Sequence, residues 1–146
     1  MALTPDEAPA PTHIADKSAS ARLRHESVSA VFAPLIQAGT LATCSAVDLE
    51  VLFSARTMRE FDEVRLERSA FPRLAIERVD FDRAVEVMGL LARRGQHRAA
   101  GLPDLLLAAV AERHGVTLLH YDADFDVIAR VTRQPMKWVV PRGSVP

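Results

Sequence analysis

An α/β fold on a mainly parallel sheet is what this sequence predicts, and three observations carry the expectation. Short apolar runs alternate with helical patterns along nearly the whole chain, the order that strand–helix–strand units produce. The clearest run, Val116 to Tyr121 (VTLLHY), has the length and composition of a strand. Glycine and proline punctuate the pattern where helices would stop or start, at Gly39, Pro103 and Gly115.

Pro5, Pro9 and Pro11 stand among small and acidic residues, so residues 1–11 read as a disordered arm ahead of one domain over residues 12–146. Thr12 to Ala15 reads as a short strand with Ile14 its only large apolar residue. Two helical stretches fill Lys17 to Ala38, the second carrying Val28, Val31, Phe32, Leu35 and Ile36 on one face, and Gly39 ends it. Thr40 to Cys44 (TLATC) is the next strand. Ser45 then reads as an N-cap, with Asp48 three residues on in a variant capping box. Its helix carries Val47, Leu49, Val51, Leu52 and Phe53, and a more polar helix spans Met58 to Ser69. After Pro72, Leu74 to Ile76 is a candidate strand, and either Asp80 or Asp82 starts an amphipathic helix through Leu91. Gly95 to Gly101 is a loop of basic and small residues. Pro103 opens a helix that runs to about His114, Asp122 to Val131 is helical, and Met136 to Val140 is a last strand. The alternation implies helices on both faces of the sheet.

Composition bounds the function. A chain of 146 residues, 49% hydrophobic, can bury a substantial core and is too apolar for disorder. No apolar run approaches the roughly 20 residues that cross a bilayer, and the N-terminus lacks the basic start and apolar core of a signal peptide. The single cysteine, Cys44, excludes an internal disulfide and fits a reducing compartment, the cytoplasm. A net charge of −1 argues against a strongly basic nucleic-acid binder. All but Lys17 and Lys137 of the 18 basic residues are arginine, whose fork suits phosphate, although a GC-rich genome favours arginine as well.

The acids fall at informative places. Ligands of open α/β sheets bind beyond the carboxyl ends of the strands. Asp16 follows the first strand, and Asp122 follows VTLLHY with Asp124 two residues further. Glu50 lies in the helix directly after TLATC, and Asp104 in the first turn of its helix. If those strands are neighbours, the carboxylates converge, and like charges at close range persist only when protons or cations neutralise them. Oxygen donors of this kind select Mg²⁺ or Mn²⁺, which can activate water against a phosphodiester. Each acid alone also has an ordinary role, such as Asp122 capping a helix or Asp104 favouring a helix dipole.

The residues around the acids resemble one family. Asp16-Lys17-Ser18-Ala19 with Arg22 is similar to the opening motif of VapC toxins, the PIN-domain ribonucleases of toxin–antitoxin pairs. Thr40 to Cys44 with Glu50 and Leu52 to Arg56 resembles their second block. Leu102-Pro103-Asp104 running into Leu105 and Leu106 resembles the third, and Leu119 to Asp126 (LHYDADFD) the fourth. The resemblance implies a PIN-like α/β/α sandwich whose acidic pocket binds Mg²⁺ or Mn²⁺ and cleaves RNA. By position Asp16, Glu50, Asp104 and Asp122 match the four-acid set, Asp124 a fifth acid, and Ser18 a supporting hydroxyl. It further implies a homodimer, a VapB-type antitoxin as partner, and RNA as substrate.

Arg22, Arg94 and Arg98 are candidates for flanking RNA phosphates. Tyr121 and Trp138 could stack on bases or pack in the core, His120 reads as packing, and Asp126 as solvated. Two other classes stand beside the nuclease. One is a non-catalytic module that acts within an antitoxin complex in operon autoregulation. The other, a receiver-type phosphoacceptor, needs paired acids after the first strand, where Asp16 stands alone.

Overall fold

All strand pairings in the computed structural model, which describes residues 7–146, are parallel. In chain order the elements are β1 (His13–Ala15), α1 (Lys17–Ser20), α2 (Glu26–Ala38), β2 (Leu41–Ala42), α3 (Ser45–Phe53), α4 (Met58–Ser69), α5 (Arg78–Ala92), α6 (Leu102–His114), β3 (Thr117–His120), α7 (Asp124–Thr132) and β4 (Met136–Trp138). Of the stretch expected to be an arm, the first six residues lie outside the described ones.

The four strands are ordered β2-β1-β3-β4, so the chain turns back past β1 to add β3 and then β4. Strand side chains alternate between faces, and the core divides accordingly. Ile14, Ala42 and Leu118 point to a layer shared with Val47, Val87, Leu91, Leu105, Ala108, Phe125 and Ile128, under α3, α5, α6 and α7. Their neighbours Ala15, Leu41 and Leu119 face the opposite layer, with Ala19, Val28 and Phe32 of α1 and α2. This is the α/β/α sandwich expected from the alternation of elements.

Three local expectations are corrected. Leu74 to Ile76 forms no strand. Only Thr43 and Arg73 bridge, and the Ala75 carbonyl instead accepts from Arg113 Nη2 at 2.8 Å and lies 3.0 Å from His114 Nε2, at the end of α6. Strand β2 is shorter than Thr40 to Cys44 because both ends spend their backbone groups elsewhere. The Thr40 amide closes the C-terminus of α2 on Leu35, and Thr43 pairs with Pro72 and Leu74. Ser45 is the first helical residue of α3 and Cys44 takes the cap position, while the Asp48 carboxylate turns away from the helix start to Arg68, Arg73 and Thr43. A capping box does occur, reciprocally between Glu77 and Asp80 at the start of α5. Gly39 and Gly115 end α2 and α6 at φ of 70° and 66°, a conformation that glycine adopts without steric cost.

Candidate active site

The crevice where the strand order reverses lies between β1 and β3, and open parallel sheets bind ligands there. Asp16 leaves the end of β1 with its backbone amide donating to the Leu119 carbonyl at 2.8 Å, which locks it against β3. Its Oδ2 accepts from the Ser18 amide at 2.9 Å, so Asp16 caps the short α1 and its carboxylate is oriented. Asp122 lies two residues beyond β3, and its Oδ1 accepts from the Asp124 amide at 2.9 Å. Asp104 stands in the first turn of α6, after Pro103, and Glu50 on the sixth residue of α3.

These elements bring all five acids together in two overlapping groups. Oxygens of Asp16, Glu50 and Asp104 lie within 4.8 Å of one another, and so do oxygens of Asp104, Asp122 and Asp124. Asp104 is common to both. The electrostatics follow from that position. Burial first, then the charges of Asp16, Asp122, Glu50 and Asp124, push the Asp104 carboxyl up to about 7. Burial and the nearby Asp16 raise Glu50, with Lys17 opposing, and burial and Asp122 raise Asp124. The donor set is all carboxylate oxygen, half-buried and mutually repelling, which fits a hard divalent cation.

Asp104 has a folded-state value above its unfolded one. The stability that its neutral form contributes is complete below about pH 4 and disappears as pH rises through about 7. Without divalent ions the protein is therefore expected to lose roughly 2 kcal/mol between about pH 5 and 8, after allowance for solvent screening. Millimolar Mn²⁺ should reverse the loss, and Mg²⁺ should do so at higher concentration. Thermal melts across pH, with and without ions, read this. A pH slope that persists unchanged in Asp104→Asn would assign the titration elsewhere.

The supporting residues differ in detail from the expectation. The Ser18 hydroxyl accepts from the Tyr121 amide at 2.9 Å, and it is the Ser18 backbone that holds Asp16. The residue thus ties α1 to the segment carrying Asp122. Arg22 donates from Nη1 to the Ser18 carbonyl at 2.8 Å and lies 4.2 Å over the Tyr121 ring. Arg94 and Arg98 are exposed on the connection between α5 and α6, and the groove beside Asp122 is lined by Arg22 and Arg142. His120 is buried between Phe125 and Trp138, as expected of a packing residue, and burial lowers its pKa. Its Nδ1 accepts from the Asp122 amide at 3.3 Å, so the neutral ring carries its proton on Nε2. Asp126 is not simply solvated, because its Oδ1 accepts from the Trp138 indole at 3.0 Å. Cys44 is buried and free, and burial raises its thiol pKa, as an inert core residue requires.

A pocket of carboxylates at the switch point of a parallel sheet defines a class, and the PIN domain profile matches residues 16–131, which include all five acids. The chain belongs to the PIN-domain family. It is similar to ribonuclease VapC51 of Mycobacterium tuberculosis, 42% identical over 133 residues that cover 91% of this chain and 96% of the relative. It is also similar to ribonuclease VapC2 of that species, 44% identical over 124 residues, covering 82% and 86%. Among solved structures it resembles a chain of DNA-bound VapBC from Salmonella typhimurium with a TM-score of 0.74, covering 89% of this chain and 99% of that one. At 15% identity that likeness concerns the fold.

Proposed function

We propose that this chain is a divalent-metal-dependent endoribonuclease of the VapC type, the toxin of a toxin–antitoxin pair acting in the cytoplasm. The observation that carries the reading is the Asp104 carboxylate shared by two groups of acids, each with its oxygens within 4.8 Å. Asp16, Glu50, Asp104, Asp122 and Asp124 would hold Mg²⁺ or Mn²⁺. Such an ion, when bound, lowers the pKa of water and offsets charge on a scissile phosphate.

The chain's own residues set the rest. Asp16 and Asp122 are oriented by the Ser18 and Asp124 amides, so their carboxylates need little reorganisation. Either Asp122 or Asp124, whose carboxyl is raised by burial and by Asp122, would orient the attacking water through an oxygen that the ion does not engage. The core layer beneath α6 keeps bulk water from one side of the pocket. Ribonuclease relatives at 42% and 44% identity support RNA as the substrate class. Digestion of RNA by the purified chain with and without EDTA tests the reading. Cleavage that EDTA abolishes and Mn²⁺ restores is expected, and absence of cleavage in Mg²⁺ and Mn²⁺ alike would leave only a binding module.

The VapBC complexes among the structural neighbours support a VapB-type antitoxin as partner. A homodimer accords with the exposed Leu49, Phe81, Val85 and Leu102, which line a groove of about 540 Å³ between α3, α5 and α6. Light scattering is expected to give twice the chain mass, and a monomer at high concentration would remove the dimer alone.

A further inference from the structure

Beyond the acids, the surface at Asp122 continues into a groove of about 400 Å³ that carries a different chemistry. Tyr121 and Trp138 form its walls, their rings nearly perpendicular at 80° with centroids 5.3 Å apart. Each ring has a guanidinium over its face, Arg22 at 4.2 Å from the Tyr121 centroid and Arg142 at 5.7 Å from that of Trp138. The two differ in freedom. Arg22 is fastened to the Ser18 and Pro146 carbonyls, whereas Arg142 is exposed. Trp138 is fixed edgewise, since its indole nitrogen donates to Asp126 on α7. The Tyr121 hydroxyl donates to the Val145 carbonyl and accepts from the Gly143 amide, which pins the segment bearing Arg142.

We propose that this groove is a nucleotide subsite, taking one base and one phosphate of the RNA strand next to the phosphodiester held at the acids. The inference rests on the ribonuclease reading and names where that substrate's neighbouring nucleotide goes. The base stacks on the Trp138 face now covered by Arg142, and Arg142 swings to the phosphate of that nucleotide. The exchange is favourable, because a base stacked on an indole contributes more than an exposed guanidinium on the same face, and the displaced arginine gains a charged partner. Charge supports the same occupant. A polyphosphate entering a pocket of five carboxylates needs cations at its rim, and Arg22 and Arg142 are the guanidiniums that line the groove containing Asp122. Fixed walls with one mobile cation give a site that tolerates sequence in stacking yet grips the backbone.

Trp138 is the chain's one tryptophan, so its emission reports the groove directly. The Asp104→Asn protein is titrated with a short single-stranded RNA of mixed sequence carrying a terminal dye, with anisotropy and tryptophan emission read together. Quenching in step with binding is expected. Arg142→Ala in the same background should weaken binding about tenfold and reduce the slope of log K against log salt by about 0.7, the loss of one single-strand phosphate contact. Binding with no change in Trp138 emission, an unchanged salt slope in Arg142→Ala, or no binding at all overturns the subsite. A polyglutamate peptide that quenches Trp138 where RNA does not assigns the groove to a protein partner and overturns it too. Wild-type cleavage of the same RNA is measured in parallel. Quenching without cleavage would leave the subsite standing and remove the ribonuclease reading, while cleavage without quenching does the reverse.

Discussion

Replacing Asp104 by Asn is expected to abolish RNA cleavage while leaving the fold intact and the metal-free protein more stable above neutral pH. The carboxylate belongs to both groups of acids, so its loss weakens every arrangement of ligands the pocket can offer. Lewis-acid stabilisation of a phosphoryl transition state contributes several kcal/mol, so the rate should fall on the order of a thousandfold or more. The amide has the shape of the carboxylate, and packing around α6 is undisturbed. Burial and four neighbouring acids already oppose ionisation of Asp104, up to a pKa of about 7. Removing that charge therefore relieves roughly 2 kcal/mol at pH 8 and almost none at pH 4. A residue serving only its helix would behave in the opposite way, with activity retained and about 0.5 kcal/mol lost through the dipole. Expression gives an independent readout, since the wild type should arrest growth and Asp104→Asn should not. A purified variant that cleaves at the wild-type rate with the same metal dependence would remove Asp104 from the site.

The site was legible in the sequence to different depths. Asp16 and Asp122 could be found from position alone, because each follows a strand and parallel strands present their carboxyl ends to one edge. Glu50 and Asp104 sit on helices, where an acid is ordinary, and only the order of four motif blocks singled them out. What stayed hidden were partners far apart in the chain. Asp48 looked like part of a capping box with Ser45, yet its carboxylate binds Arg68, 20 residues on, and Arg73. Trp138 and Asp126 gave no sign of their bond, since nothing local pairs a strand residue with a residue of the preceding helix. The missing strand at Leu74 to Ile76 has the same origin. Its apolar character comes from Leu74 packing into the core, while the backbone at Ala75 is claimed by α6. Hydrophobic periodicity reports which faces are buried and is silent on where the backbone's hydrogen bonds go.

Arg68→Ala should cost about 3 kcal/mol, a fall of roughly 10 °C in melting temperature for a domain of this size. Asp48 and Arg68 have side chains only 11% and 12% exposed, and their Oδ1–Nε distance is 2.7 Å. Arg68 Nη2 also donates to Thr43 Oγ1 at 2.6 Å, and that hydroxyl donates to Asp48 Oδ1 at 2.9 Å. Truncating the arginine leaves a buried carboxylate with Thr43 and the half-exposed Arg73, which cannot replace the lost hydrogen bonds in full. Burial alone would raise the Asp48 pKa, but bonds from Arg68, Arg73 and Thr43 hold it below the usual carboxylate range. Its stabilisation is thus present above the unfolded value near pH 4 and lost as pH falls through the lower folded one. The deficit of Arg68→Ala should accordingly shrink in acid, opposite in sign to the alkaline loss at Asp104. Because Asp48 precedes Glu50 on α3, the variant should also weaken Mn²⁺ binding by loosening the helix that carries Glu50. The double variant Asp48→Leu with Arg68→Met separates charge from packing. It should recover much of the stability, since replacing both buried partners by apolar side chains removes the uncompensated charge. If Arg68→Ala melts within a degree or two of wild type at pH 7, Arg73 alone suffices to balance Asp48 and the clamp between α3 and α4 is not what holds Glu50 in place.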